Sequence, residues 1–151
     1  MKHWYIAILI SFVLCACENT NYRSSVPSVP VNFTLNITQE HPHFVVDNGF
    51  QTMEITQSKF EREYIGVAGL LIWIAMDGRY HAADLCCPKC LNIKKPVAAD
   101  GIFAVCPTCN EQFDLSFGYA FPTKGYAKEP LRSYQAIINQ QATGISLRII
   151  N

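Results

Sequence analysis

The chain is patterned as short apolar runs broken by turn residues. Apolar and polar positions alternate strictly over residues 31–37, which is typical of a half-buried strand. Residues 67–76 form a continuous apolar run. This run is followed by Asp77-Gly78, a dipeptide favoured in two-residue hairpin turns, and the chain is expected to return as a second strand over 79–84.

Similar turn signals recur in the second half of the chain. An Asp-Gly turn precedes an apolar stretch over 102–105, a turn at 116–118 separates two aromatic segments, and alternation returns over 145–149. No stretch keeps a helical period over three turns, and 57–64 is read as a helical turn or an irregular loop. The pattern predicts an all-β domain over 31–151, a small antiparallel sandwich or barrel.

Length and composition fit one small folded domain. The chain has 151 residues, half of them hydrophobic, so it can bury a core of its own. Lys and Arg number 12, as do Asp and Glu, and no basic cluster exceeds Lys94-Lys95. Nucleic acid is therefore not an expected partner, because its phosphates require many cations for neutralisation.

The N-terminus has the features of an export signal. A short basic start precedes an apolar run that is too short to span a bilayer, so residues 1–16 are predicted to be a signal peptide. Leu14-Cys15-Ala16-Cys17 resembles a bacterial lipobox, and the resemblance implies that Cys17 is lipidated and becomes the first mature residue. An ordinary secretory signal with an incidental cysteine is the alternative.

Lipidation at Cys17 would place the protein in the bacterial cell envelope, on the periplasmic face or at the outer membrane. The membrane would be its first partner, through acyl chains that hold a soluble domain at the surface. Residues 17–30 are polar and then rich in serine and proline, which indicates a flexible tether between the lipid and the domain.

The strongest chemical signal is a pair of Cys-x-x-Cys motifs. Cys87 and Cys90 are followed, after fifteen intervening residues, by Cys106 and Cys109. Two such turns joined by a hairpin can bring four thiolates to one metal ion, and soft sulfur ligands suit zinc or iron. The adjacent Cys86 could replace Cys87 in a looser turn, but a small buried hydrophobe is the favoured role.

The region from 66 to 134 resembles the Rieske iron–sulfur domain family. In that family a hairpin ending in a Cys-Pro-His loop is followed by a second loop of the form Cys-Pro-x-His-Gly-x-x-Phe-Asp. Residues 80–88 and 106–114 of this chain follow that frame, and the continuation is matched by the following residues: Gly118, Lys124, Gly125, Tyr126, Ala127, Pro130, Leu131 and Tyr134. The resemblance implies a Rieske-like β domain with two metal-binding knuckle loops.

The chain departs from that family at the metal ligands. The two histidine positions hold Lys89 and Cys109, and Asn110 replaces the glycine that follows the second histidine. Cys87 and Cys106 carry over as ligands by motif, Cys109 as a substituted ligand, and Cys90 from spacing alone. Four thiolates would give a 2Fe-2S cluster a low potential, near about −400 mV as in plant-type ferredoxins.

The export route bears on the choice of metal. Iron–sulfur proteins usually cross the membrane folded, through a twin-arginine signal, and residues 1–3 contain no arginine pair. Zinc is therefore favoured as the cofactor, with an iron centre or 2Fe-2S cluster as the alternative. In an oxidising compartment, the same cysteines could instead close as disulfides.

These observations support three functional hypotheses. The favoured one is a membrane-anchored lipoprotein with a structural, non-catalytic four-cysteine metal site and an envelope protein as partner. The second is an iron–sulfur electron carrier that passes electrons to a redox partner. The third is a thiol–disulfide redox protein. No catalytic residues are predicted, and the lysines near the cysteines either offset the charge of the site or are solvated loop residues.

Overall fold

The structure is a computed structural model that describes residues 24–141 and 144–151. The predicted all-β, antiparallel fold is confirmed: the described residues form eleven strands and only one short α-helix. The elements are β1 (Val31–Asn36), α1 (Ile37–Glu40), β2 (Gln51–Ile55), β3 (Tyr64–Ile65), β4 (Leu70–Ile74), β5 (Tyr80–Asp84), β6 (Ala98–Asp100), β7 (Phe103–Val105), β8 (Gln112–Asp114), β9 (Phe121–Lys124), β10 (Ser133–Gln141) and β11 (Gly144–Ile150).

The strands form two antiparallel sheets. Seven strands make a nearly closed, barrel-like sheet in the order β2-β4-β5-β10-β11-β1-β3. The other four form a smaller sheet in the order β6-β7-β8-β9. All four strands of the small sheet lie between β5 and β10 in sequence, so the small sheet is an insertion into the larger one.

The continuous apolar run at β4 is explained by two hydrophobic cores. Leu70, Ile72 and Ile74 pack into the core of the large sheet. Leu71 and Trp73 point to the opposite face, into a second core shared with the small sheet. Because successive side chains of a strand face opposite sides, a strand between two cores must be apolar at every position. All five residues of β4 are buried.

The hairpin of β4 and β5 turns at the predicted Asp77-Gly78, but its loop holds three residues, 76–78, because the Ala75 N–H donates to the Arg79 carbonyl. The return strand begins at Tyr80, one residue later than predicted, and Leu70 pairs with Asp84 at the open end. The predicted strand over 31–37 ends one residue early, because the Asn36 side chain caps a helical turn by accepting a hydrogen bond from the Gln39 backbone N–H. The segment 57–64 is a loop that ends in β3.

The predicted signal peptide over 1–16, the cysteines Cys15 and Cys17, and residues 18–23 lie outside the described residues. The later part of the predicted tether, residues 24–30, lies against the domain. Val26 is buried, and its carbonyl accepts a hydrogen bond from the Arg132 guanidinium. Within residues 24–141 and 144–151, no helix has both the length and the apolar character needed to cross a membrane.

Candidate metal centre

The four cysteines of the two motifs meet at one point. The Sγ atoms of Cys87, Cys90, Cys106 and Cys109 all lie within 4.8 Å of one another. The shortest separations join the two loops, 3.7 Å from Cys87 to Cys109 and 3.6 Å from Cys90 to Cys106. A tetrahedron of sulfurs around zinc, with bonds of about 2.3 Å, has edges of about 3.8 Å. The four side chains therefore fit a single four-coordinate ion.

The site lies at the edge of the second core. The first loop follows β5, and the second loop follows β7 directly. Cys87 and Cys106 are buried among the apolar side chains of the second core, while Cys90 and Cys109 are partly exposed beside it. A metal held here would tie the small sheet to β5 of the large sheet.

The two loops have the same backbone geometry. In each, the carbonyl of the first cysteine accepts a hydrogen bond from the residue four positions later, Leu91 to Cys87 at 2.9 Å and Asn110 to Cys106 at 2.8 Å. Leu91 and Asn110 both have positive φ, at 51° and 56°. The backbone N–H groups two and three residues after each first cysteine donate to its sulfur. The turns of both loops thus present backbone N–H groups to sulfur.

Leu91 adopts a backbone conformation that is unfavourable for a leucine. Replacing Leu91 by glycine is expected to raise the free energy of unfolding by about 0.5–1 kcal/mol, because glycine adopts positive φ without strain and the Leu91 side chain is only about half buried. Chemical denaturation of the metal-loaded protein measures this change. Asn110→Gly serves as the control and should raise the free energy of unfolding by less, because asparagine tolerates this conformation better than leucine does.

The thiols differ in how readily they lose a proton. Burial raises the pKa of the Cys87 thiol well above its ordinary value, and burial also raises the pKa of Cys109. At Cys106 burial acts in the same direction, but hydrogen bonds from the backbone N–H groups of Cys109 and Thr108 and from the Cys109 and Cys90 thiols together outweigh it and hold the pKa below its ordinary value. A metal must displace protons from thiols whose pKa is raised, so binding is expected to weaken as the pH falls.

Cys86 does not belong to the four-sulfur group. Its side chain is fully buried, and the pKa of its thiol is raised to about 11, chiefly by burial and secondarily by the Asp84 carboxylate. A protonated, buried thiol behaves as a small hydrophobic side chain, which is the role that the sequence favours.

A buried carboxylate braces the second loop. Glu111 follows the second motif and is fully buried. Its carboxylate accepts a hydrogen bond from the Lys89 ammonium of the first loop at 2.5 Å. It also accepts hydrogen bonds from the backbone N–H groups of Tyr126 and Ala127, both at 2.8 Å. Burial raises the pKa of the Glu111 carboxyl, but the Lys89 ammonium and the two N–H groups outweigh burial and hold the pKa below its ordinary value. A Cβ at Gly125 would lie within 2.5 Å of three atoms of this side chain. Glycine is therefore required at position 125.

Replacing Glu111 by glutamine is expected to lower the free energy of unfolding at pH 7 by about 2 kcal/mol, because the amide nitrogen cannot accept the bonds made by the carboxylate. Since the pKa of Glu111 in the fold is below the ordinary value of 4.5, its ionisation stabilises the fold above that pH, and this contribution is lost as the pH falls through the folded-state pKa. The difference in free energy of unfolding between the native protein and Glu111→Gln, measured by denaturation, should therefore become smaller below about pH 4.5. A constant gap would contradict this account.

A second buried carboxylate braces the first loop. Asp84, the last residue of β5, accepts four hydrogen bonds: from the backbone N–H groups of Val67 (2.7 Å), Ala68 (3.1 Å) and Cys86 (2.7 Å), and from the Tyr134 hydroxyl (2.7 Å). Burial and the Asp84 carboxylate raise the pKa of Tyr134 well above its ordinary value. Asp84 thus fixes the start of the cysteine loop to its neighbours.

A scan against protein-family models found no match to the chain, and neither a search of curated proteins nor a search of solved structures found one.

The sequence points to the four cysteines but not to the two carboxylates that hold their loops. Only Asp84 carried a signal, as a charged residue that follows Ala82 and Ala83 at the end of a predicted strand, three positions before Cys87. Glu111 stands between Asn110 and Gln112 and has no such signal. These carboxylates are contacted by four residues that also belong to the family resemblance: Gly125, Tyr126, Ala127 and Tyr134.

Proposed function

We propose that this protein is a lipid-anchored envelope protein whose folded part is a non-catalytic, Rieske-like β module closed by one structural metal ion. Cys87, Cys90, Cys106 and Cys109 would hold the ion, and zinc is the favoured metal. The observation that carries the proposal is the convergence of four thiol sulfurs within 4.8 Å at the junction of the two sheets. With all four positions occupied by protein, such a site adds folding energy rather than a reactive ligand position.

The compactness of the sulfur group supports a single ion over a two-iron cluster. In a 2Fe-2S centre the four thiolates are divided between two irons that are bridged by sulfide. The ligands of different irons must then stand farther apart than the ligands of one ion. Here the shortest contacts join opposite loops, and all four sulfurs lie within one small volume. A single ion, zinc or iron, fits this arrangement best.

The lipid anchor rests on the sequence alone. Leu14-Cys15-Ala16-Cys17 and the short apolar run before it support cleavage before Cys17 and attachment of acyl chains to its sulfur. An envelope protein is the proposed partner, since a structural site leaves binding rather than chemistry as the task of the domain.

Metal analysis of the purified mature protein tests the metal part of the proposal, combined with visible absorption and electron paramagnetic resonance. Colourless protein with one zinc per chain is the expected result. Coloured, redox-active protein with iron would favour the electron carrier. Metal-free protein with cysteines linked between Cys87 and Cys109 and between Cys90 and Cys106 would favour the thiol–disulfide function and contradict the proposal. Mass spectrometry of the mature N-terminus tests the lipid on Cys17 separately.

A further inference from the structure

The lysines of the domain are concentrated at the end that carries the cysteine loops. Residues 24–151 contain six lysines, and five of them lie in the first cysteine loop or in the segment from β9 to β10. These five are Lys89, Lys94, Lys95, Lys124 and Lys128. The sixth, Lys59, pairs with Glu40 in another loop. Lys89 pairs with Glu111 and Glu129 adds a negative charge, so the positive charge of this end comes from Lys94, Lys95, Lys124 and Lys128.

Exposed apolar side chains accompany these lysines. Leu91 and Ile93 are 45% and 57% exposed in the first loop, and Tyr126 is 86% exposed in the segment after β9. The two segments adjoin each other, because the Lys89 ammonium lies 4.9 Å from the centre of the Tyr126 ring. The term knuckle surface denotes the exposed side chains of these two segments: Leu91, Ile93, Lys94, Lys95, Tyr126 and Lys128.

The chain enters the domain beside this surface. The backbone N–H and the hydroxyl of Ser25 both donate to the Glu129 carboxylate, at 2.6 and 2.9 Å. Glu129 lines a cleft of about 200 Å³ together with Lys89 and Tyr126. The first described residue, Ser24, is therefore located at the cysteine end of the domain.

The connection from this entry point to Cys17 is short. Seven residue steps separate Cys17 from Ser24, and a chain extends at most about 3.6 Å per residue, so the two are at most about 25 Å apart. A compact domain of this size has a radius of gyration of about 14 Å and is therefore about 36 Å across, so its far side lies beyond the reach of this connection. The cysteine end is thus the end that an anchor at Cys17 would hold close to the bilayer.

From this arrangement we infer that the knuckle surface rests on the anionic phospholipid headgroups of the membrane that holds Cys17. The inference depends on the proposed lipidation of Cys17. Lysines near an anionic bilayer surface are attracted to it, tyrosine favours the headgroup region, and exposed aliphatic side chains can enter the acyl boundary. The metal centre would then face the membrane, and the turn between β4 and β5 would face away from it, towards envelope partners.

Tryptophan probes in the lipidated mature protein test this orientation. Ile93→Trp places a probe on the knuckle surface, and Met76→Trp places a matched probe, at a side chain of similar exposure (59%), beside the turn between β4 and β5. Each protein is reconstituted into vesicles of phosphatidylethanolamine and phosphatidylglycerol with brominated acyl chains. The buried Trp73 contributes the same background to both. Because brominated chains quench at short range, we expect Ile93→Trp to be quenched at least about twofold more than Met76→Trp.

Equal quenching of the two probes, or stronger quenching at position 76, would overturn the inferred orientation. Combining Ile93→Trp with Lys94→Glu and Lys95→Glu should reduce its quenching, and an unchanged signal would also count against the inference. Mass spectrometry of Cys17 on the same samples separates the two proposals. A lipidated chain without differential quenching contradicts the orientation alone, whereas a chain without lipid contradicts the anchor and the orientation together.

Discussion

Replacing Cys106 by serine is expected to abolish metal binding and to unfold the small sheet. Cys106 is fully buried in the second core and leads directly from β7, and a serine hydroxyl cannot replace a soft thiolate ligand. Structural zinc sites contribute about 10 kcal/mol or more to folding, which is comparable to the whole stability of a typical domain of this size. Metal content and amide hydrogen exchange of the purified variant measure the loss.

The two cores predict which strands of Cys106→Ser lose hydrogen-exchange protection. The core of the large sheet contains none of the four cysteines, while the second core contains Cys87 and Cys106. Hydrogen-exchange protection should therefore disappear first in β6, β7 and β8, and persist longest in β1, β10 and β11.

The neighbouring buried thiol gives a matched control for this substitution. Cys86→Ser makes the same chemical change at a fully buried position outside the sulfur group. Cys86→Ser should retain one metal per chain. Its free energy of unfolding should fall by about 1–3 kcal/mol, which is the cost of burying a hydroxyl in an apolar site. Retention of metal and of full stability by Cys106→Ser, or loss of metal from Cys86→Ser, would contradict the assignment of the ligands.

Replacing Asp84 by asparagine is expected to lower the free energy of unfolding by about 3–5 kcal/mol, because the change removes a charged acceptor of four hydrogen bonds and leaves buried donors unsatisfied. Three backbone N–H groups and the Tyr134 hydroxyl point at the Asp84 carboxylate, so the amide of asparagine must turn a donor towards other donors. Gly66 packs directly against this network, since a Cβ there would lie 2.4 Å from the Asp84 Oδ2 and 2.9 Å from the Tyr134 hydroxyl.

Urea denaturation of the metal-loaded protein measures this effect. Asp114→Asn is the control, because Asp114 is only partly buried and accepts one backbone hydrogen bond, from Ser116 at 2.7 Å. The control should cost about 1 kcal/mol or less. If Asp84→Asn lowers the free energy of unfolding by no more than the control does, the network does not brace the cysteine loop.

The parts of the fold that could be predicted from the sequence are those set by neighbouring residues. The hairpin of β4 and β5 follows from an apolar run, an Asp-Gly turn signal and a return strand, all within 18 positions. The convergence of the cysteines follows from two short motifs with a fixed spacing. In both cases the signal and the structure lie in the same short segment of chain.

The parts that were missed depend on partners far away in sequence. β2 has a weak pattern of its own, since its residues are mostly half-buried, and it is placed by pairing with β4. Asp84 is bonded by Tyr134, fifty positions later. The helix α1 is four residues long, too short for a helical period to be visible, and is set by the Asn36 cap. Such features require the fold before they can be recognised.

The coordination of the metal is the most direct test of the central claim. X-ray absorption at the metal edge of the purified, lipidated protein reports the number, type and distance of the ligands. The account predicts one metal per chain with four sulfur neighbours at about 2.3 Å and no second metal nearby. Oxygen or nitrogen in place of any of the four sulfurs, a neighbouring metal atom, or protein that binds no metal would contradict it.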